Sequence, residues 1–274
     1  MLKILITGSN SGFGKLAALS LARLGHQVVA SMRDLAKGEE LRQVAAQEGL
    51  AIELCQLDVN DLASVEAALV DPLAFDVLIN NAGFEVEAAI EQVSDELMWQ
   101  QLDTNVLGPL RTMRAVLPAW KDRGSGVVIN VSSIAGRVGV PYTGAYSASK
   151  FALEALSESL KLEVGQLGIR VHLIEPGRFA TDFGENKIRP DSWEGSPQQH
   201  RALAFREASH GMGGTGTPPD PQEVADVIVR AATDPSAPFR MLVGDDALMI
   251  DELKSSMSFE EFEATIRTAL NWHD

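Results

Sequence analysis

The amino-acid sequence predicts an α/β fold, a doubly wound parallel sheet in a single domain. Short apolar segments alternate with amphipathic helical patterns along most of the chain, which favours a parallel sheet. Some of these segments, such as residues 127–131, are continuously apolar, as is typical of strands covered by helices on both faces. The length of 274 residues suits one domain of this class.

The predicted elements begin at residues 2–7, where an apolar, β-branched run indicates the first strand. A glycine-rich turn follows, and Leu16, Leu19 and Ala22 then recur at helical spacing until Gly25. The same alternation predicts further helices at 35–48, 62–69, 95–122, 145–166 and 221–233, and strands at 27–31, 51–57, 77–80, 127–132, 170–175 and 240–243.

Residues 182–221 differ in character from the chain before them. They are rich in glycine and proline and lack a sustained strand pattern, and regular structure resumes after them. An unstructured segment of this length within a domain is usually functional. We therefore predict a substrate-binding lid at 182–221, inserted into a single domain that spans 1–274. Its apolar members either line a substrate pocket or pack on the domain: Phe183, Ile188, Trp193, Phe205 and Met212.

Composition narrows the functional classes. With 38 Asp plus Glu against 23 Lys plus Arg, the formal net charge of −15 disfavours nucleic-acid binding. The sequence has neither a long apolar run for a membrane span nor a signal-peptide pattern. The single cysteine, Cys55, cannot form an internal disulfide, and His200 and His210 lack further ligand residues nearby. We expect a soluble, cytoplasmic protein that needs no metal and no membrane.

The segment Thr-Gly-Ser-Asn-Ser-Gly-Phe-Gly at 7–14 joins the first strand to the first helix. Gly8, Gly12 and Gly14 allow a tight turn and let backbone N–H groups approach a pyrophosphate, whose charge the helix dipole favours. A plain strand-to-helix turn is the alternative. The position directly after the opening strand favours dinucleotide binding.

The end of the second strand bears on which dinucleotide is bound. NAD sites of this architecture place an acidic residue there for a ribose hydroxyl, whereas NADP needs a cation for its 2′-phosphate. The strand ends in Met32 and Arg33, so the acid is missing and a guanidinium is present. Arg33, with Ser11 as a second donor, would bind the phosphate. The alternative is a surface arginine paired with Asp34. We predict NADP (NADPH), without excluding NAD.

Tyr146 and Lys150 are four residues apart and therefore share one face of the predicted helix. An ammonium beside a phenol stabilises the phenolate and lowers the pKa of the tyrosine, which suits it to proton transfer. Ser133 follows a strand and would hydrogen-bond a substrate oxygen, although Ser132 competes for this role. Asn105, taken alone, is best interpreted as an ordinary asparagine inside a helix.

In their order along the chain, these residues resemble the motif series of the short-chain dehydrogenase/reductase family, in its type of roughly 250 residues. Residues 30–35 and 175–179 further resemble the branch of 17β-hydroxysteroid dehydrogenase-like oxidoreductases. Phe13 departs slightly, since the family more often has Ile or Leu there. The resemblance covers residues 1 to about 181, at positions Thr7, Gly8, Gly12, Gly14, Asp58, Asn80, Asn81, Ala82, Gly83, Asn105, Ser133, Tyr146, Lys150, Pro176, Gly177 and Thr181.

This resemblance implies a Rossmann-type fold and hydride transfer between NADP and a secondary alcohol, ketone or aldehyde. Tyr146 would be the general acid or base, and Ser133 would orient the substrate oxygen. Lys150 would lower the pKa of Tyr146 and bind the nicotinamide ribose, and Asn105 would maintain a water connection to Lys150. A homodimer or homotetramer is expected. The expected cofactor contacts are Gly8, Asn10, Ser11, Gly12, Phe13, Gly14, Arg33, Asp58, Asn81, Ala82, Gly83, Tyr146, Lys150, Pro176, Gly177, Phe179 and Thr181.

Two other functions use related cofactor folds. A redox-sensing or regulatory protein would bind NADP without turnover, and loss of Tyr146 or Lys150 would favour it. An epimerase or dehydratase acting on a nucleotide sugar would have a longer chain and a different glycine spacing. Tyr146 and Lys150 are both present, whereas the longer chain and the different glycine spacing are not. We therefore predict an oxidoreductase that acts on a small, apolar alcohol or ketone.

Overall fold

The computed structural model describes residues 1–184, 186–209 and 219–272. A seven-stranded sheet in the order β3-β2-β1-β4-β5-β6-β7 forms its centre, and each neighbouring pair of strands is parallel. The order reverses between β1 and β4, the point where doubly wound sheets bind ligands. The predicted fold class is confirmed. The strands are β1 (Lys3–Ile6), β2 (Gln27–Met32), β3 (Ile52–Gln56), β4 (Val77–Asn80), β5 (Gly126–Val131), β6 (Ile169–Pro176) and β7 (Arg240–Val243).

Helices cover both faces of the sheet. Helices α1 and α8 pack on one face, whereas α5 and α6 pack on the other. In the described ranges the helices are α1 (Gly12–Arg23), α2 (Glu39–Glu48), α3 (Leu62–Ala68), α4 (Asp95–Leu102), α5 (Gly108–Arg123), α6 (Gly144–Val164), α7 (Pro197–Ser209), α8 (Gln222–Thr233), α9 (Asp245–Ser256) and α10 (Phe259–Ala269). None of these described helices is both long and apolar enough to cross a membrane.

Alternate residues of β1 belong to different cores, because successive strand side chains point to opposite faces. Ile4 and Ile6 pack in the core beneath α1 and α8, whereas Leu5 packs in the core beneath α5 and α6. Trp120 is fully buried in the second core, and its indole N–H donates to the Pro72 carbonyl at 3.1 Å. Covering on both faces accounts for the continuously apolar strands.

Three local predictions are wrong. The helix expected at 95–122 is interrupted by a π-helical turn, Asp103–Leu107, because Pro109 has no N–H to donate to the Asn105 carbonyl four residues earlier. The segment 182–221 was expected to be unstructured, yet it contains helix α7. Helices α9 and α10 near the C-terminus were not predicted. Cys55 is half-buried in β3.

Candidate active site

Hydrogen bonds tie together the two loops that follow β1 and β4. The Thr7 hydroxyl accepts from the backbone N–H groups of Asn81 and Ala82, both at 3.0 Å. The Asn81 side-chain amide donates to the carbonyls of Thr7 at 3.0 Å and Gly8 at 2.9 Å. Gly8 has a φ of +68°, and a Cβ there would lie 2.8 Å from the Cα of Ala82. Only glycine permits this close approach.

The N-terminus of α1 is open towards this loop pair. The Ser11 side chain precedes the helix without capping it, and the first turn carries no acidic residue. Gly12 has a φ of +54°, and a Cβ there would point towards Thr181 at 3.8 Å. The first N–H groups of a helix lack intrahelical partners and face outward with the positive end of the dipole. These residues fit the pyrophosphate of a dinucleotide.

A cavity of about 1470 Å³ extends from the glycine turn across the carboxyl ends of the strands. Gly14 and Asn105 do not line it but are buried behind its wall, where a Cβ on Gly14 would come within 2.5 Å of both the Asn81 amide nitrogen and the Gly8 oxygen. The other expected site residues line this one cavity: Gly8, Asn10, Ser11, Gly12, Phe13, Arg33, Asp58, Asn81, Ala82, Gly83, Ser133, Tyr146, Lys150, Pro176, Gly177, Phe179 and Thr181.

Two cations lie at the end of the cavity beside β2. Arg33 and Lys37 both line it, together with Asp58. Asp34 accepts a hydrogen bond from the Ala36 N–H at 3.0 Å and caps a short turn. In the part of the chain that the structure describes, Arg33 and Asp34 do not form an ion pair with each other. Lys37 is not among the residues predicted for this site, although it follows Arg33 by four residues in the sequence.

Tyr146 and Lys150 lie in the first two turns of α6. The Lys150 ammonium is 5.6 Å from the centre of the Tyr146 ring and donates to the Val131 carbonyl at 2.8 Å. The Ser133 hydroxyl is within reach of the Tyr146 phenol; it donates to the Pro176 carbonyl at 3.4 Å and accepts from the Ala135 N–H at 3.1 Å. The Ser132 hydroxyl is buried without a partner among the described residues. Of the two serines, Ser133 is thus the one that meets the phenol.

Burial is the largest influence on the pKa values of Tyr146 and Lys150. It raises the pKa of the Tyr146 phenol well above its usual value, and the charge of Glu85 adds to this effect, whereas the hydrogen bond with Ser133 opposes it. Burial also lowers the pKa of Lys150 to about 8, against the charge of Glu154. The depression of the tyrosine pKa that we expected from Lys150 does not outweigh burial in the chain by itself. The phenol of Tyr146 is therefore protonated and neutral near neutral pH.

Asn105 connects the loop after β4 to helix α6. Its amide donates to the Phe84 carbonyl at 3.0 Å and to the Ser149 hydroxyl at 3.1 Å, and its oxygen accepts from the Phe84 N–H at 3.2 Å. Ser149 adjoins Lys150 in α6. The side chain of Asn105 is thus used in fixing these elements together, and its water connection to Lys150 stays a prediction.

An ion cluster joins the loop after β4 to residues 187–189 and to helix α7. The Glu87 N–H donates to the Ile188 carbonyl, and the Ile188 N–H donates to the Glu85 carbonyl, both at 2.9 Å. Lys187 pairs with Glu85 at 2.8 Å and with Glu87 at 3.2 Å. The buried Glu87 also pairs with Arg189 and Arg206. Sequence analysis missed this cluster because its partners lie about a hundred residues apart and form no local pattern.

Apolar side chains from residues 183–205 and from α10 line part of the cavity. Of the apolar lid residues named from the sequence, Trp193 is buried against the Tyr142 ring, with the ring centres 6.4 Å apart, and Met212 falls outside the described residues. His200 faces the Ser196 carbonyl at 2.9 Å, and His210 also falls outside the described residues. The lining residues are Phe183, Ile188, Ala202, Phe205, Phe262, Ile266 and Leu270.

Comparisons of sequence agree with this geometry. The family model for short chain dehydrogenases matches residues 3–192. An uncharacterized oxidoreductase of Bacillus subtilis (strain 168) is 37% identical over 239 residues, which covers 84% of each protein. Bovine retinol dehydrogenase 8 is 37% identical over 253 residues, covering 86% of this chain and 80% of the relative. Human 17-beta-hydroxysteroid dehydrogenase type 1 is 36% identical over 264 residues, covering 86% and 76%.

Solved structures extend the likeness to the whole fold. A short-chain dehydrogenase from Streptomyces avermitilis superposes with a TM-score of 0.82 at 30% identity, covering 100% of this chain and 99% of its own. An alcohol dehydrogenase from Thermococcus sibiricus, complexed with 5-hydroxy-NADP, has a TM-score of 0.72 at 25% identity, covering 89% and 97%. A Burkholderia phymatum enzyme in complex with NAD shares the fold at a TM-score of 0.80 and 24% identity, covering 96% and 95%. The chain belongs to the short-chain dehydrogenase/reductase family and is a pyridine-nucleotide-dependent oxidoreductase that acts on CH–OH groups.

Proposed function

We infer that this protein is an NADP(H)-dependent oxidoreductase that interconverts a secondary alcohol with a ketone, or reduces an aldehyde, with Tyr146 as the general acid or base. The observation that carries the inference is the meeting of Tyr146, Ser133 and Lys150 in the same cavity as the glycine turn. A neutral phenol beside a serine hydroxyl provides a proton and a hydrogen bond for one substrate oxygen.

The residues of the chain divide the reaction between them. NADPH, when bound, supplies the hydride. Tyr146 then gives its proton to the substrate oxygen during reduction, and it takes a proton from the hydroxyl during oxidation. Ser133 holds that oxygen next to the phenol. Because the phenol is buried and its pKa is raised, the phenolate that remains after reduction depends on the nearby Lys150 ammonium for stabilisation.

The preference for NADP is supported by the charges beside β2. Arg33 and Lys37 line the cavity there, and Met32 stands at the strand end where NAD sites carry an acid. A guanidinium and an ammonium both bind a 2′-phosphate through charge-assisted hydrogen bonds. Asp34 is already used as a cap of the following turn, which leaves the two cations to the ligand.

The substrate that fits best is an apolar alcohol or ketone. Aromatic and aliphatic residues line part of the cavity, and the Phe183 ring centre lies 5.8 Å from that of Tyr146. Apolar walls with few polar groups favour lipophilic ligands. Two relatives named for retinol and 17-beta-hydroxysteroid dehydrogenation support this choice.

A homodimer or homotetramer is part of the proposal. Large apolar side chains are exposed on the helices of one side of the sheet, among them Trp99 at 67%, Phe151 at 45% and Leu162 at 81%. Exposed residues of this kind favour burial in a subunit interface. Light scattering of the purified protein gives the mass directly, and a monomer at micromolar concentration would contradict the proposal.

Tyr146→Phe tests the proposed function. The variant should bind NADPH as the wild type does, as measured by cofactor fluorescence, but lose carbonyl reduction at least ~100-fold in an NADPH-absorbance screen of steroid, aromatic and aliphatic ketones. Tyr142→Phe is the matched control, since Tyr142 also lines the cavity but has no proposed proton-transfer role, so it should keep turnover. Turnover retained by Tyr146→Phe would refute the mechanism. NADPH binding without turnover of any substrate by the wild type would favour the regulatory alternative.

A further inference from the structure

Two buried carboxyl groups behind α6 take no part in the proposed reaction. Glu154 lies one turn after Lys150 in α6, and Glu175 lies in β6; their side chains are 8% and 1% exposed. Glu154 Oε1 and Glu175 Oε2 have no hydrogen-bond partner among the described residues. Leaving buried carboxylate oxygens without donors is costly, so the pair requires a proton.

One shared proton satisfies both groups. When Glu175 is protonated, its hydroxyl donates to Glu154, and the pair carries a single negative charge. Burial and the charge of Glu154 raise the pKa of Glu175 to about 8, which agrees with a protonated Glu175 near neutral pH. Arg240 Nε holds the two carboxyls side by side, at 3.2 Å from Glu154 Oε2 and 3.1 Å from Glu175 Oε1.

The other charged groups around the pair already have partners. Arg240, from β7, also bonds Glu158 of α6 at 2.5 Å. Arg137, which follows β5, pairs with Asp251 of α9 at 2.9 Å. Arg240 and Arg137 are the cations whose charges act on Glu175, and no ion pair of the described residues joins either of them to Lys150.

Unlike Arg240 and Arg137, which pair with carboxylates, the Lys150 ammonium contacts an uncharged oxygen. Its ammonium donates to the Val131 carbonyl, and its side chain is buried, which favours the uncharged amine. Glu154 is the acid whose charge opposes this effect of burial. Tyr146, Lys150 and Glu154 therefore follow one another at four-residue spacing along one face of α6, as phenol, cation and anion.

We propose that Glu154 is a positioning residue that keeps Lys150 positively charged, and that the proton held by Glu175 limits the carboxyl pair to one negative charge. The proposal rests on the role assigned above to Lys150, because that role needs an ammonium. The geometry accounts for two orphaned oxygens and for an ammonium that is buried against a neutral carbonyl.

A lysine titration tests the proposal without turnover. The full chain, labelled with ¹³C at the lysine ε carbons, has eight lysines, and Lys150→Arg identifies the Lys150 resonance. In Glu154→Gln the titration midpoint of Lys150 should fall by about one pH unit or more, both alone and with NADP⁺. Glu158→Gln is the matched control, because Glu158 shares Arg240 but is 56% exposed. In that variant the midpoint should stay within a few tenths of a unit.

An unchanged Lys150 midpoint in Glu154→Gln would overturn the proposal. If that variant does not fold, Glu154→Asp withdraws the carboxylate by one methylene and should lower the midpoint by a smaller amount, and again no shift would refute the idea. In an active enzyme, the alkaline limb of the kcat profile should move down in pH with the midpoint, whereas a purely structural role would lower kcat equally at every pH. If no substrate is turned over, the proposed function fails while the titration still decides the role of Glu154.

Discussion

Gly14→Ala tests how tightly the glycine turn is packed against the loop after β4. A Cβ at this position would lie 2.5 Å from the Asn81 amide nitrogen and 2.5 Å from the Gly8 carbonyl oxygen. The oxygen belongs to the backbone and cannot swing away, so Asn81 must give up its bonds to Thr7 and Gly8. Two lost hydrogen bonds together with overpacking should lower the free energy of unfolding by roughly 2–6 kcal/mol.

Urea unfolding measures the free energy of unfolding, and the affinity for NADPH reports whether the turn is displaced. Displacement of the turn should weaken NADPH about 10-fold or more, because the backbone N–H groups lose their positions. Gly165→Ala is the control, since a Cβ there has no heavy atom within 4 Å and its φ is −58°. It should be neutral or stabilise by about 0.4–1 kcal/mol. A Gly14→Ala protein that matches the wild type in both measurements would refute the packing argument.

Three further predictions follow from the charged groups. Arg33→Ala should weaken NADPH binding about 10-fold or more while changing NADH binding little, and an equal effect on both cofactors would contradict the NADP assignment. Glu87→Gln removes a carboxylate that pairs with Lys187, Arg189 and Arg206; it should lower the free energy of unfolding by about 1–3 kcal/mol, seen as faster proteolysis within 186–209 and a raised KM. The pKa of Glu175 is raised to about 8 in the native state, so the native state keeps a proton that the unfolded chain loses near pH 4.5. The stabilisation that this proton gives the native state is complete below about pH 4.5 and is lost as the pH rises to about 8. Compared with Glu175→Gln, the wild type should therefore lose up to about 1.4 kcal/mol of unfolding free energy per pH unit in that window; a constant difference would show that Glu175 is ionised.

Local patterns predicted most of the sheet and its helices. Strands β4 and β7 begin and end where they were expected, and the others differ by one or two residues. The segment around Asn105 was harder, because Pro109 is accommodated by a π-helical turn that helical periodicity does not reveal. Helix α7 was missed because its weak amphipathic pattern lies in a glycine- and proline-rich stretch, where breaker residues outweigh propensity.

The residues around Tyr146 also combine features that local sequence patterns predict with features that they do not. The spacing of Tyr146 and Lys150 and the position of the glycine turn predicted that both lie near the carboxyl ends of the strands, which meet at one edge of a parallel sheet. The remaining expected site residues came from the resemblance to the family. The direction of the Tyr146 pKa was not predictable, because burial and the charge of Glu85 depend on how distant segments pack. The ion cluster at Glu87 was hidden for the same reason.

The sequence by itself determined the fold class and the family, because periodicity, turn glycines and the order of motifs are readable along the chain. Only the tertiary structure decided the protonation of the buried titratable residues and which distant segments pack against them. Burial in a low-dielectric interior shifts the protonation of Tyr146, Lys150 and Glu175. Such burial depends on contacts between segments as far apart as Glu154 and Arg240, which no local pattern records.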